Sequence, residues 1–579
     1  MTLTCLASVI IPHIYNFVKC KFKINNTVLS IQEPYTINGE IIINIEICDD
    51  TTYNIAASFN YYNGYIILKT ESGAYYRLST NELDLCFKKE MNRFVQSARY
   101  NSNLKTTENG AMAHSHLNNS VLELFASIGA MRPRSDEDIK QKFLSAYNED
   151  PVLTTKMLFY AGNIRGGLGE RRTFRICLKA LANEHPSVVR DNLDNIGFYN
   201  RYDSLFELVG TPVEKDMWKY ISSTLMSDLL NVRDGHPCSL LAKWMPSEKA
   251  SSEKTRKLAF KAMRALNVNE RKYRKMLSLL RKQIKVVETD MSQNKWDMIN
   301  YEAVPSKAMA NYNRAFAKHD PIGFSVYKEA LNNGKAKVNA ATMFPYELVK
   351  NYMGYHPNTN SLADQQWRAL PNYIEGENNI IVMADVSGSM SGRPMETSVS
   401  LAIYFAERNK GAFKNLYMTF TSHPSFIEVN PNDTLQKKVY DCMGKGVGFS
   451  TNLEAAFLKI LSTAVENRVP VEDMPKALVV ISDMEIDKYM RPNARWDFID
   501  TMRAHFAHYG YELPIIVMWN VQARQDTYLS TRDDVIFVSG QSPSVFKSFI
   551  GALNGQTGYD VMVNTLTDKM YDRVVTTHC

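Results

Sequence analysis

The stretch IIVMADVSGSM, residues 380–390, is an apolar run that stops abruptly at a carboxylate and two hydroxyls, Asp385, Ser387 and Ser389. Residues that tolerate burial on both faces, followed at once by polar side chains, have the pattern of a central parallel strand delivering oxygen groups to the carboxyl edge of its sheet. Open α/β sheets take their ligands at that edge. Asp-x-Ser-x-Ser sets hard oxygen donors on one tight loop, and Mg²⁺ takes about six oxygens at ~2.1 Å while keeping several waters. One carboxylate and two hydroxyls therefore leave coordination positions open. The plainer reading of the same residues is a strand end followed by a helix N-cap, a common place for Asp and Ser.

Two later segments add to the loop. GVGFSTNLEAAF (446–457) places Thr451 just ahead of a helical pattern, and KALVVISDMEID (476–487) ends another buried strand at Asp483. Asp385, Ser387, Ser389, Thr451 and Asp483, in this order, resemble the metal-ion-dependent adhesion site of von Willebrand factor type A domains and match its ligand pattern position by position. The resemblance implies a bound Mg²⁺, or another divalent cation, whose remaining position is filled by an acidic group of a protein partner. Around the motif, helical patterns at 394–409, 432–442, 452–466 and 496–508 alternate with strand patterns at 415–420, 477–482, 513–519 and 535–538. That alternation predicts a doubly wound, mostly parallel sheet over 375–579.

At 579 residues, 45% of them hydrophobic and 22% charged, the chain has the composition of an ordinary globular protein and is too long for one core, so several domains are expected. Its 8 cysteines are scattered, with no CxxC pair and no neighbouring His cluster. This argues for reduced thiols in a cytoplasmic compartment and against a zinc site or a disulfide framework. The apolar stretch LASVIIPHIYNFV near the start is interrupted by Pro12 and His13, follows no basic residue and falls short of the ~20 residues that span a bilayer. No membrane partner is expected.

Residues 1–95 are rich in Ile, Tyr, Thr and Asn, and Asn38-Gly39 and Asn63-Gly64 sit between alternating runs such as EIIINIEI and YNGYIILKT. This predicts a small antiparallel β region. Its tyrosines (Tyr61, Tyr62, Tyr65, Tyr75, Tyr76) read as cross-strand packing in preference to base stacking. Residues 96–118 are polar and aperiodic and read as a linker, with His114 and His116 as solvated side chains. Helical periodicity then runs over 119–370 with short Pro- and Gly-containing loops, which predicts antiparallel helix pairs stacked as a HEAT-like solenoid or ring.

Charge is concentrated within that region. Ala242 to Ala340 holds 21 Lys or Arg against 9 Asp or Glu, a net of +12, whereas the whole chain carries only +6, so the remainder is negative. Such a concentration is the electrostatic footprint of a nucleic-acid surface, although Lys and Arg on helices are commonly no more than a solvated face. The helix over 269–283 clusters Arg271, Lys275 and Lys282 on one side, with Lys272 and Arg274 adjoining. A second basic site is AGNIRGGLGERRTFR (161–175), where Gly166, Gly167 and Gly169 break a helix and Arg165, Arg171, Arg172 and Arg175 flank the break. Free backbone N–H groups ahead of a helix suit a phosphate, and a helix C-cap with a tight turn explains the glycines equally well. No Gly-Lys-Ser/Thr follows, so this is not a P-loop.

The blocks IRGGLGERR, LLAKWMPSEKASS (240–252), NERKYRKMLSLLRKQIKVVE, KWDMINYEAVPSKAM (295–309) and GKAKVNAATMFPYELV (334–349) resemble a TROVE-like helical module that precedes a type A domain, in a family related to the Ro autoantigen. The resemblance spans about 110–579. It implies a monomeric RNA-binding scaffold, a ribonucleoprotein component whose ring-like helical array holds structured RNA and takes single-stranded ends. Candidate RNA contacts are then Arg165, Arg171, Arg172, Lys243, Arg271, Lys272, Arg274, Lys275, Arg281, Lys282, Lys307, Arg314, Lys335 and Lys337. No enzyme is expected. Phosphate-ester hydrolysis at Asp385 and Asp483 would need an activated water and a general base or second metal, yet the motif commits its side chains to hydroxyl ligands and no histidine stands near Asp385 or Thr451 in sequence. The remaining alternative is a type A interaction adaptor that does not bind RNA.

Overall fold

The computed structural model describes residues 103–576 apart from 110, 118, 354–361, 422, 446–450, 487–497, 533 and 551–554, and before residue 103 only the strand backbones given next. The chain divides into two compact units, Met1–Asn103 and Leu104–Cys579. In the first, β1 (Cys20–Ile24), β2 (Thr27–Ile31), β3 (Tyr35–Ile37), β4 (Glu40–Ile42), β5 (Ile45–Ile47), β6 (Ser58–Tyr62), β7 (Tyr65–Lys69) and β8 (Tyr75–Ser79) pair antiparallel in three small sheets, β1-β2-β5, β3-β4 and β6-β7-β8. β3 and β4 flank Asn38-Gly39, and β6 and β7 flank Asn63-Gly64, dipeptides that favour two-residue hairpins. The side chains of Tyr61, Tyr62, Tyr65, Tyr75 and Tyr76 lie outside the described residues, as does the start of the Thr451 loop.

The second unit begins with a hairpin, β9 (Leu104–Thr106) and β10 (Met112–His114), and is built around a six-stranded sheet. That sheet comprises β11 (Ile380–Asp385), β12 (Leu416–Phe420), β13 (Phe426–Glu428), β14 (Ala477–Ser482), β15 (Ile515–Asn520) and β16 (Val535–Ser539), in the order β13-β12-β11-β14-β15-β16. Every neighbouring pair is parallel except β12 with β13. Successive strand residues point to opposite faces. Ile380, Val382 and Ala384 therefore enter a core shared with the N-terminal helices, while Ile381 and Met383 enter a second core with the helices Leu453–Glu466 and Phe498–His508. β14, β15 and β16 split the same way, which is why these strands read as unbroken apolar runs.

The helices expected at 119–370 and the sheet expected at 375–579 lie in one compact unit and share a core. A single core runs from Val121 through the helices and one sheet face to Val574. The reason lies at the chain's end. The helix Gly558–Leu566 packs against Ser120–Phe125 and Pro151–Gly162. Tyr571 stacks on Tyr199 at 5.6 Å, and Tyr199 Oη donates to the Met570 carbonyl at 2.5 Å. An amphipathic helix must bury its apolar face somewhere; here the C-terminal segment covers the first helices of the array.

The reading of 96–118 as a linker is also corrected from residue 104 onward. β9 and β10 lie on the sheet unit, where His114 exchanges backbone bonds with Tyr528 (2.7 and 3.0 Å). Ala111 and Ala113 are buried in the second core. His114 is buried and His116 is exposed beside Glu123, 3.5 Å away. Helices otherwise stand where the periodicity puts them, including Asp136–Glu149, Pro151–Gly162, Arg171–Glu184, Glu214–Arg233, Glu253–Ala265 and Glu270–Gln283. Between the helices Pro186–Asp191 and Leu193–Tyr199 stands Asn192, whose side-chain amide donates to the carbonyls of Val188 and Val575 (2.9 and 2.8 Å). Among the described residues no helix is long and apolar enough to cross a membrane.

One polar cluster ties the helices to the loop after β15. Arg134, 3% exposed, donates to the Ala523 carbonyl (2.8 Å) and to Asp526 (2.7 Å), and Lys142 reaches the same carboxylate oxygen at 2.8 Å. Burial alone would raise the Asp526 carboxyl; the Arg134 hydrogen bond and the charges of Lys142 and Arg134 outweigh it and hold the group at about 2. A carboxyl titrating below its unfolded value of ~3.9 contributes stability that is complete above that value and lost as pH falls through the folded one. Asp526→Asn should therefore lower unfolding free energy by about 2 kcal/mol near neutral pH, and by progressively less toward pH ~3, in urea titrations at the two conditions.

Candidate metal centre and basic face

Strand order reverses between β11 and β14: the chain leaves β11 for β12 on one side and later returns to β14 on the other. The crevice outside the carboxyl ends of two such strands is where open α/β sheets bind ligands. Register sets Ala384 beside Ile481, so Asp385 and Ser482 end their strands side by side. Ser482 Oγ donates to Asp385 Oδ2 (2.6 Å) and the Ser387 N–H to Asp385 Oδ1 (2.9 Å). The Ser387 and Ser389 hydroxyls share a hydrogen bond at 3.1 Å. Asp385 is fully buried, and that burial pushes its carboxyl up to about 7 against the bonds from Ser482 and Ser387.

Beyond β14 the backbone turns sharply through Met484, whose φ of +66° is rare for a side chain of that size. The turn sets two carboxylates on either side of a buried methionine. Asp483 Oδ1 accepts the Glu485 N–H (3.2 Å), and Asp483 Oδ2 accepts from Arg524 Nη2. Thr451, also buried, donates its hydroxyl to the Glu485 carbonyl at 3.0 Å. The β9–β10 turn straps this edge: Thr107 Oγ1 donates to the Ile486 carbonyl (2.5 Å), Asn109 Nδ2 to the Glu485 carbonyl (2.7 Å), and the Glu108 N–H to Glu485 Oε2 (2.6 Å). All five sequence-derived positions thus belong to one strand edge. Ser482, Glu485, Arg524 and Glu108 join them without having been singled out.

The donor set suits a hard cation. Among the described residues no three His, Cys, Asp or Glu side chains converge as a metal cage. A divalent ion at this edge would be held by the Asp385 and Asp483 carboxylates with the Ser387, Ser389 and Thr451 hydroxyls, an all-oxygen set of the kind Mg²⁺ accepts. Ser482, which donates to Asp385 Oδ2, would orient that carboxylate without itself belonging to the donor set.

The Gly-rich loop is a packing device. Four consecutive N–H groups are already used: Gly167 and Gly169 donate to the Asn163 carbonyl (3.2 and 3.0 Å), Leu168 to Tyr160 (3.0 Å) and Glu170 to Ala161 (2.7 Å). A Cβ on Gly166 would meet Met570 at 2.6 Å, and one on Gly167 the Tyr160 carbonyl at 2.2 Å. The phosphate-cradle reading of these N–H groups is therefore corrected in favour of the tight turn. Of the flanking arginines, Arg165 donates to the Phe198 carbonyl (3.1 Å), and Arg172 to the Arg132 and Arg134 carbonyls while pairing with Asp136. Arg175 pairs with Asp203 at 2.7 Å. Arg171 is exposed; partial burial and the charges of Arg201 and Arg175 lower its pKa.

The helix Glu270–Gln283 sorts its cations by phase. Tyr273, Leu277 and Leu280 are buried, and Arg271, Lys275 and Lys282 stand on the opposite face, exposed and without an ion pair among the described residues. Lys272 is exposed beside them, and Arg274 lies 3.6 Å from Glu248. Arg281 departs from the RNA-contact reading: half-buried, it donates to the carbonyls of Ala242 and Met245 (both 2.9 Å) and so caps the helix Leu241–Trp244. Lys307 pairs with Glu347 at 3.1 Å, Lys243 lies 5.8 Å from the Trp244 ring centre, and Arg314, Lys335 and Lys337 are exposed.

Comparison with known proteins divides the chain at the same place as the sheet. Residues 107–203 and 233–379 match a domain of unknown function (DUF2828), which includes most of the strap and the helices before the sheet other than Glu214–Arg233, and residues 379–574 match another (DUF7788), which begins one residue before β11. An uncharacterized protein of Acanthamoeba polyphaga mimivirus is similar at 27% identity over 493 residues, covering 78% of this chain and 85% of its own length.

Proposed function

We propose that the protein is a non-enzymatic RNA-binding scaffold, a TROVE-like helical array joined to a von Willebrand type A sheet whose Mg²⁺ site docks an acidic protein partner. The observation that carries the RNA half is the outward row Arg271, Lys275 and Lys282 opposite a buried apolar face. Cations on that face can meet phosphates without costing the helix its packing, and they bind by counterion release. The docking half rests on Asp385, Ser387, Ser389, Thr451 and Asp483 at one switch-point edge. Three hydroxyls among five donors favour capture of a partner carboxylate over activation of water.

The test is a titration of labelled single-stranded and hairpin RNA by fluorescence anisotropy. Binding should weaken by roughly tenfold or more between about 0.05 and 0.2 M salt. An affinity that ignores salt would sink the RNA reading.

A further inference from the structure

Asp483 has no exposed side-chain surface, and a carboxylate so enclosed requires a counter-charge. In the chain itself that charge is Arg524, whose Nη2 bonds Asp483 Oδ2 while Nη1 lies 3.3 Å from Glu108 Oε2. One guanidinium thus spans a buried carboxylate and a half-exposed one. The loop carrying Arg524 is fixed from behind, since Ala523 N–H donates to the Ala130 carbonyl (3.0 Å) and Arg134 holds the Ala523 carbonyl. Glu108 is fixed on the other side by the strap, through Thr107, Asn109 and its own N–H. The guanidinium is the adjustable part of this arrangement. Its Nε is buried without an acceptor, so the side chain is held by charge and not by a complete set of hydrogen bonds.

We infer that Arg524 is the resident counter-cation that sets the affinity of this site: it neutralises Asp483 in the metal-free protein and turns to Glu108 when a divalent cation is bound. The inference rests on the proposed metal centre. With both carboxylates ionised, as a bound cation requires, the Asp385, Asp483 and Arg524 charges sum to −1, and without Arg524 to −2. Arg524 therefore opposes cation binding, and Glu108, by offering the guanidinium a second carboxylate, relieves that opposition. Neither residue is placed among the metal ligands; both act through Asp483.

The experiment is isothermal titration of the full chain with MnCl₂. Arg524→Gln should bind Mn²⁺ about tenfold more tightly than wild type, and Glu108→Gln several-fold more weakly, with Arg524→Lys in between. Glu108 is exposed, so its variant reports on the inference even if Arg524→Gln does not fold. Asp385→Asn separates the two layers. If wild type binds Mn²⁺ and Asp385→Asn does not, while Arg524→Gln is unchanged or weaker, or Glu108→Gln is unchanged or tighter, the counter-cation role is overturned and the metal centre stands. If wild type does not bind, or Asp385→Asn binds equally well, both fall.

Discussion

Replacing Asp385 by asparagine should abolish saturable Mn²⁺ or Mg²⁺ binding by the purified chain, a loss of about 10² to 10³ in affinity. The size follows from electrostatics: a unit charge about 4 Å from another at an effective dielectric near 20 is worth ~4 kcal/mol, and part of that is returned by the lower desolvation cost of a neutral amide. Folding should survive. The amide oxygen still accepts the Ser387 N–H, the amide nitrogen can face Ser482 Oγ, and a fully buried carboxylate charge is removed. Melting followed by circular dichroism in EDTA should therefore show no loss of stability, and Mn²⁺ should raise the melting temperature of wild type alone. RNA affinity should stay within about twofold of wild type, because the outward face of Glu270–Gln283 shares no hydrogen bond or ion pair with the β11 and β14 ends among the described residues. An Asp385 variant that binds Mn²⁺ normally would place the metal elsewhere, and one that loses RNA would join the two sites into one.

The strand ends were legible because their chemistry is local. Apolar runs that stop at Asp385 and Asp483 announce both the sheet and the oxygen-bearing ends of its strands within a dozen residues each. The rest of the edge was not legible, for a different physical reason in each case. Glu108, Glu485 and Arg524 come from three distant segments, and no spacing rule links residues that only a tertiary fold brings together. The strap resembled a linker because it buries alanines, Ala111 and Ala113, and spends its polar side chains on carbonyls of the neighbouring loop. Arg281 is the case where a signal existed. It follows the buried Leu277 by four residues, so helical phase turns it toward the helix Leu241–Trp244, whereas the adjacent Lys282 faces outward. Composition counts both as equal cations; geometry gives one to the fold and leaves the other in solvent.

That sorting fixes the second large effect. The triple variant Arg271→Gln, Lys275→Gln, Lys282→Gln should weaken RNA binding by about a hundredfold at near-physiological salt and flatten the slope of log affinity against log salt by about 2 to 3, since each neutralised phosphate contributes roughly 0.7 to 0.9. Glutamine keeps the helix, being close to lysine and arginine in propensity, and the three side chains are exposed, with no ion pair among the described residues to lose. The control is Arg281→Gln, which removes one charge and two carbonyl bonds. It should lower stability by about 1 to 3 kcal/mol in urea titrations while changing the salt slope little. If the triple variant bound RNA as wild type does, the basic face would be a solvated surface and nothing more. If Arg281→Gln flattened the slope as much as the triple variant, phosphate would be reaching the interior side of the helix, and the division between structural and ligand-facing cations would fail at the residue chosen to mark it.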